Sequence, residues 1–427
     1  MNLSIEQIAS IVSKSIKEKI IDAEKDTAVI FYNINLLENN ARTIANCFPK
    51  NAMHTVAVKA NPLVNILKKF IPLGFGVEVA SLPELYLAIN IGFSPKKIVF
   101  DSPIKTREEI KYALNVGVHI NINSLEELER VAILKKNIKS KSTIGLRINP
   151  QVGGGKIKAT SVATKISKFG VPIKTNREKI INYFLKYTWL TGLHVHIGSQ
   201  GISPNLLGKG IKKIVELAEE INQLTISKQG KQRIDFLDIG GGFPVTYNLK
   251  ENVISFKKFK KKLENKIPNL FKSKYKIISE YGRYIHANAG WAVSRVEYVV
   301  IEKEYNIITT HLGADFLLRK AYNPEDWHHH ISVLDKNGNQ KKTNKKKKYK
   351  IAGPLCFSGD FIADDVMLPE VEVGDNIIIH DVGAYTLSMW SKYNSRQIPK
   401  VIAYTNKEFE IIKERESINE TIKFWNK

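Results

Sequence analysis

Apolar residues in this chain fall into short runs that recur between amphipathic stretches. Eight of them stand out: Thr55–Val58, Gly76–Val79, Lys97–Phe100, Val118–Ile122, Thr143–Leu146, Thr191–Val195, Ile234–Leu237 and Lys276–Ser279. Segments with helical spacing follow, such as Leu63–Ile71 and Thr106–Asn115. Short apolar runs alternating with helices predict parallel strands buried on both faces. Eight such units in succession predict an α/β fold, a (β/α)8 TIM barrel. Barrels of this kind carry their chemistry at the C-terminal ends of the strands. Directly after the eight runs this chain places Lys59, Ala80-Ser81, Asp101, Asn123, Arg147, His196, Gly240-Gly241-Gly242 and Glu280. One loop, Asn149–Val171, breaks the rhythm and carries Gly153-Gly154-Gly155; long loops on a catalytic face are often functional.

The pattern changes outside this region. An amphipathic helix opens the chain and is followed by a strand at Thr27–Tyr32. After about Ala289 the segments Val296–Ile301, Tyr349–Ile351, Asn376–Ile379 and Val401–Tyr404 are short and β-branched. They predict an antiparallel β-domain that also takes in Thr27–Tyr32. The expected division is a barrel over residues 35–290, with residues 1–34 and 291–427 forming the β-rich domain.

Composition adds boundaries rather than direction. The 427 residues are 43% hydrophobic and 25% charged, ordinary for a globular protein. No apolar run reaches the ~18 residues that span a bilayer. The first twenty residues carry acids and lack a secretory core, so a cytoplasmic location is expected. Cys47 and Cys356 are too few for a disulfide framework or a Cys-rich zinc site. The net charge of +23 comes from lysines spread over most of the helices, which argues against a nucleic-acid surface. The dense run Lys341–Lys348 follows Asp335-Lys336-Asn337-Gly338 and reads as a solvated hairpin tip. His328-His329-His330 has no acidic or Cys partner at ligand spacing, so no metal is expected.

Several residues carry candidate chemistry, each with a plainer reading beside it. Lys59, in Ala57-Val58-Lys59-Ala60-Asn61-Pro62, is either a desolvated amine suited to Schiff-base formation or a lysine clear of the barrel, pointing at solvent. The glycine triplet is a simple turn, or a set of backbone N–H groups aimed at a phosphate, as barrel phosphate sites cluster after the seventh and eighth strands. Arg283 follows the eighth strand and could reach the same phosphate. Glu280 is suited to holding a heteroaromatic nitrogen protonated. His196 is structural or a flat ring for stacking, and Ser199 offers a hydroxyl. Gly353–Asp360 reads as a β-hairpin turn with a buried cysteine, and Tyr385 as core or poised over a site.

Taken together, Ala57–Asn61, His194–Ser199, Asp238–Pro244, Glu280–Arg283, Gly353–Asp360 and Asp381–Tyr385 resemble, in order, the motifs of the fold-type III pyridoxal-phosphate decarboxylases. These are the diaminopimelate, ornithine and arginine decarboxylases, built like alanine racemase. Arg147, Lys168-Phe169-Gly170 and Tyr393-Asn394-Ser395-Arg396 resemble the diaminopimelate branch most. The resemblance implies pyridoxal 5'-phosphate bound through Lys59. Gly240, Gly241, Gly242, Ser199 and Arg283 would hold its phosphate, His196 would stack on its ring, and Glu280 would pair with its nitrogen. Glu78, Arg147 and Tyr385 complete the implied cofactor contacts. It implies Cys356 as proton donor from the other subunit of a homodimer with shared sites. Arg319, Tyr322, Phe357, Asp360 and Tyr385 would contact an amino-acid substrate.

Three departures bear on this. Glu280-Tyr281-Gly282-Arg283 replaces a usual Glu-Pro-Gly-Arg. Phe357 stands where the family commonly has an acid for the substrate's distal amine. The substrate motif Arg-Pro-x-x-Tyr is present only as Arg319-Lys320-Ala321-Tyr322. The expected activity is α-decarboxylation of a diamino acid, with meso-diaminopimelate giving L-lysine as the best guess. Ornithine, lysine, arginine or a carboxylated polyamine are alternative substrates. A racemase is disfavoured by Glu280, since racemases of this architecture place Arg at the ring nitrogen. A bare cofactor carrier is disfavoured by the second domain.

Overall fold

The computed structural model describes residues 3–247, 253–272, 274–343, 345–406 and 408–426. The chain divides into two compact units, Glu38–Val245 with Val253–Ile285, and Met1–Leu37 with Thr246–Asn252 and His286–Lys427. Thr246–Asn252 is grouped with the second unit, whereas the sequence-based division left it in the barrel.

The first unit is a closed parallel barrel. Its strands are Met53–Ala57, Gly76–Val79, Ile98–Phe100, His119–Ile122, Ile144–Asn149, Leu190–His194, Phe236–Asp238 and Lys276–Glu280. Pairing runs through all eight and closes where Ile278 meets Met53, a parallel register like the rest. Each expected run contains or overlaps one strand, and the differences have local causes. The first strand stops at Ala57 because Val58–Ala60 turns into a single 3-10 turn that carries Lys59. The fifth continues to Asn149, since Arg147 stays paired with His194 and Ile148 with Val171. Arg147 therefore lies within its strand rather than after it.

Successive side chains on a strand face opposite ways, so residues two apart share the barrel interior. Met53, Val99, Phe236 and Ile278 form one buried apolar cluster. A Cβ at Gly192 would lie 1.9 Å from the Phe236 ring, so only glycine leaves that ring its space. Two residues further along the same strands come Thr55, Asp101, Asp238 and Glu280. The apolar plug thus gives way to a charged layer towards the C-terminal ends.

Buried histidines make this unit acid-sensitive. Burial pushes His54 down to about 4 and His119 down to about 3. His54 Nδ1 lies 2.8 Å from Ser279 Oγ, and His119 lies between Thr143 and Asn121 at 2.7 and 3.1 Å. Each is neutral when folded and protonates near pH 6.5 when unfolded. Their contribution to stability is full above pH 6.5 and is lost as pH falls towards 3–4. The thermal midpoint should drop over this window, and His119→Gln should flatten the drop. An unchanged midpoint between pH 6.5 and 4 would contradict the assignment.

The second unit is built on a nine-stranded sheet. The strand at Ala28–Asn33 joins it, antiparallel to Gly290–Ile301 and parallel to Lys400–Tyr404. A second parallel pair links Asn306–Thr310 to Lys346–Ala352; the remaining pairings are antiparallel. The helix Ile5–Lys17 starts at a Ser4/Gln7 capping box and buries Ile8, Ala9 and Val12 at helical spacing. They join Phe31 and Trp291, whose rings stack at 4.3 Å.

The lysine run is not a hairpin tip. The turn itself is Asp335–Asn339, closed by Asp335 N–H to Asn339 O at 2.8 Å. Lys346–Lys348 lie in the strand that pairs with Phe361–Pro369, where Lys347 meets Glu370 at 2.6 Å. Lys341 pairs with Asp375 at 2.6 Å, and Asn344 lies outside the described residues. Opposite charges across the strand relieve the repulsion that the sequence alone suggested. No described helix is long and apolar enough to cross a membrane.

Candidate active site

Lys59 is the first charged group at the strand ends. Its amine pairs with both carboxylate oxygens of Glu78, which is wholly buried, while the lysine side chain keeps 40% exposure. Neither of the two sequence readings is complete, because the amine is paired inward and still reachable. Burial pushes Glu78 up to about 7, with Lys59 opposing and Asp101 reinforcing the shift. The turn is fixed from the eighth loop: a Cβ on Gly282 would lie 2.7 Å from Ala60 Cβ and 3.0 Å from Ala57 Cβ. Only glycine lets Glu280–Arg283 approach so closely. Its neighbour Tyr281 is buried and meets Phe256 edge-on at 5.1 Å. That departure from the family pattern fills an aromatic cluster.

Behind Lys59 lies a buried charged layer. Arg147 donates to Asp101 Oδ2 at 2.8 Å and stacks at 4.7 Å on Phe169 from the long loop. Burial alone would push Asp101 up, but Arg147, His194, Lys59 and Lys105 together hold it below the usual carboxylate range. Arg147 is thus committed to Asp101, which puts a support where the sequence suggested a cofactor contact. His194 bridges Asp101 and Glu280 at 3.6 and 3.5 Å. Burial, with Arg147 adding to it, keeps this histidine below its usual value.

Glu280, the last residue of its strand, is 4% exposed, and its Oε1 has no hydrogen-bond partner among the described residues. Burial, then Glu78 and Asp101, push its carboxyl well above the usual range. Such a group favours a cation brought against it. Asp238, one strand over, accepts from Asn121 Nδ2 at 2.8 Å and from Gly240 N–H at 3.0 Å.

The glycine triplet packs tightly against neighbouring backbone. Gly240 and Gly242 have φ of +63° and +87°. Cβ atoms at the three positions would lie 2.4 Å from Val195 O, 2.0 Å from Glu280 O and 1.8 Å from Gly198 O. Gly241 N–H donates to His196 Nδ1 at 3.2 Å. This leaves the proton of the neutral ring on Nε2, and burial together with Arg147 and Lys59 holds His196 well below 6.5. Ser199 Oγ accepts from Arg283 Nε at 2.9 Å, placing a hydroxyl and a guanidinium side by side. Gly241→Ala should cost roughly 1–3 kcal/mol of stability and remove bound cofactor, read by thermal unfolding and by cofactor absorbance. Full retention of both would contradict the close packing.

Residues 34–287 match the family model of the pyridoxal-dependent decarboxylases, over their pyridoxal-binding domain. The chain belongs to this family. It is 30% identical over 395 residues to the diaminopimelate decarboxylase of Aquifex aeolicus, covering 92% of this chain and 90% of that one. The diaminopimelate decarboxylase of Archaeoglobus fulgidus is 29% identical over 419 residues, 96% and 95% of the two chains. The crystal structure of diaminopimelate decarboxylase from Helicobacter pylori complexed with L-lysine superposes with a TM-score of 0.85 at 26% identity, covering 96% and 99%. The chain is a pyridoxal-phosphate-dependent carboxy-lyase.

The residues fit that cofactor. Lys59 supplies an amine and Glu280 an orphaned buried acceptor. The triplet packs too closely on neighbouring backbone to admit side chains, and Ser199 and Arg283 lie together as phosphate donors. Among the described residues, one trio of possible metal ligands, Asp101, His194 and Glu280, comes within 4.8 Å. Asp101 in it is already engaged by Arg147, and His328–His330 is not part of it.

The second unit holds the remaining candidates. Gly353–Asp360 joins two paired strands, so the hairpin reading stands, but Cys356 is exposed rather than buried. Phe357 is 43% exposed. Asp360, expected to touch substrate, instead accepts N–H groups of Ala314 and Leu355, both at 2.6 Å. It pins the base of the loop. Arg319 lies over the rings of Trp327 at 3.9 Å and Tyr385 at 5.6 Å. Tyr385 adopts φ +58°, a strained backbone of the kind that marks functional segments. Tyr322 is 74% exposed, with no ring contact to these groups among the described residues. Sequence reasoning passed over Asn121 and gave His194 and Asp238 no role; the i, i+2 step from Phe236 would have found Asp238, and the same step from His119 and Gly192 the other two.

Proposed function

We propose that the enzyme removes one carboxylate from meso-diaminopimelate to give L-lysine and carbon dioxide. Arg319 carries the substrate part of this reading. It is a cation held beside Tyr385 that suits a second, distal carboxylate, which ornithine and lysine lack. The diaminopimelate decarboxylases that align over nearly the whole chain support it. Phe357 offers no charge to the distal ammonium, but its ring can lie against that cation.

When bound, pyridoxal phosphate supplies an electron sink for the carbanion left by decarboxylation. The chain's own residues set the conditions. Lys59 would hold the cofactor through its amine, which buried Glu78 pairs with and orients. Glu280 would pair with the ring nitrogen and favour its protonated form. Neutral His196 would stack on the ring without adding charge, and Ser199 and Arg283, beside the glycine turn, would hold the phosphate. Cys356 delivers a proton to the carbon that lost its carboxylate. We assign it to the partner subunit of a homodimer working in the cytoplasm, in a site shared between two copies.

A substrate panel tests the reading. The holoenzyme should release carbon dioxide from meso-diaminopimelate with kcat/KM at least about 100-fold above that for ornithine, lysine or arginine. Arg319→Met should raise KM for diaminopimelate alone. Equal turnover of ornithine would overturn the substrate assignment.

A further inference from the structure

We propose that Tyr393 and Asn394 are positioning residues that aim the Cys356 thiol. The inference rests on Cys356 being the acid of the proposed reaction. Cys356 lies near the apex of the loop between the strands Lys346–Ala352 and Phe361–Pro369. The loop base is held by Asp360, through its two backbone contacts and through Gly353 N–H to Asp360 O at 2.8 Å. Within the loop, Phe357 N–H donates to Leu355 O at 2.8 Å and Asp360 N–H to Phe357 O at 3.2 Å; these bonds close the turn around Cys356 but do not tie its apex to a neighbouring segment.

A second loop supplies that constraint. Cys356 N–H donates to Asn394 Oδ1 at 2.9 Å, and Tyr393 Oη donates to Cys356 O at 3.0 Å. Both backbone polar groups flanking one Cα are thus taken by adjacent side chains of one segment. With the two peptide planes held, the Cα–Cβ direction is set and the thiol keeps only its three χ1 wells. The clamping segment is itself unusual. Asn394 and Ser395 have φ of +55° and +51°, a conformation that non-glycine residues adopt at a cost. Asn tolerates it best, and here it turns the Asn394 amide oxygen towards the cysteine. Arg396, next in line, anchors the segment by donating to His311 O at 2.8 Å. The strain is therefore maintained at the point where the segment grips Cys356.

The test uses full-length holoenzyme and reads the thiol directly. Tyr393→Phe removes one hydroxyl. Asn394→Gly removes the acceptor while permitting the positive φ, and Asn394→Asp keeps an oxygen acceptor in place. Alkylation of Cys356 by iodoacetamide is followed by peptide mass, with buried Cys47 as the unreacting reference. Tyr393→Phe and Asn394→Gly should each change the alkylation rate by about threefold or more and lower kcat about tenfold at unchanged KM, the scale expected of a small misplacement. Asn394→Asp should restore both. Unchanged alkylation in both variants would overturn the clamp. Changed alkylation with unchanged kcat would overturn its part in catalysis. Cys356→Ala separates the two levels: unaltered turnover there means that the acid assignment has failed, not the clamp.

Discussion

Lys59→Ala loses decarboxylase activity by on the order of 10⁴-fold or more, and the purified variant retains no cofactor that borohydride can fix to the chain. The expectation follows from how the amine is held. Val58–Ala60 is a single turn pressed by Gly282 on both sides of the lysine, and the amine it carries is paired with Glu78. An amine so tethered acts at an effective concentration that free amines in solution cannot match. Glu78, buried beside it, completes the pair. Lys59→Arg should not rescue, because a guanidinium stays protonated and is no nucleophile at neutral pH. The checks are steady-state carbon dioxide release and the mass of the peptide carrying Lys59 after reduction. Residual activity above about one tenth of wild type would exclude Lys59 as the attachment point.

Glu280→Gln is the second large effect, with kcat lowered about 10²- to 10³-fold while the cofactor stays bound. The amide fills the same buried space but carries no charge to hold a ring nitrogen protonated. The local field explains the magnitude. Burial raises the Glu280 carboxyl well above the usual range, and its acidic neighbours Glu78 and Asp101 push it further up. A carboxylate so placed interacts strongly with a cation, since little solvent screens the pair. Glu280→Asp should recover part of the loss by keeping the charge one carbon further away. Equal rates for Glu280→Gln and wild type would remove Glu280 from the electron-sink role.

Lys59, His196, the glycine triplet and Glu280 were legible in the sequence because strand ends are marked by where apolar runs stop. The barrel was legible for the same reason, since buried parallel strands leave uninterrupted runs. The inner charged layer was not. Asn121, His194 and Asp238 lie inside or at the last residue of their strands, within stretches that read as apolar, and only their alternation with Phe236 and its neighbours reveals them. Arg147 looked like a strand-end ligand because its strand runs three residues beyond the apolar run, and Asp101 claims its charge. In the β unit, residue type misled where tertiary pairing decided. Cys356 read as buried by the habit of free cysteines, yet its hairpin carries it outward. Asp360 read as a substrate contact, yet it satisfies the backbone of its own loop. The lysine run read as a solvated tip because the acids opposite it, Glu370 and Asp375, are brought there only by folding.

Under the proposed function, the barrel's strand ends supply the cofactor site and the electron sink, whereas the β unit's loops supply the acid and read the substrate. Turnover of meso-diaminopimelate by the holoenzyme in deuterium oxide, followed by mass spectrometry of substrate and product with carbon dioxide measured in parallel, tests both halves at once. The account predicts one carbon dioxide released for each L-lysine formed, with one deuteron on the carbon that lost its carboxylate and none gained by unconsumed substrate. Deuterium entering the substrate without release of gas would contradict it and make the enzyme a racemase.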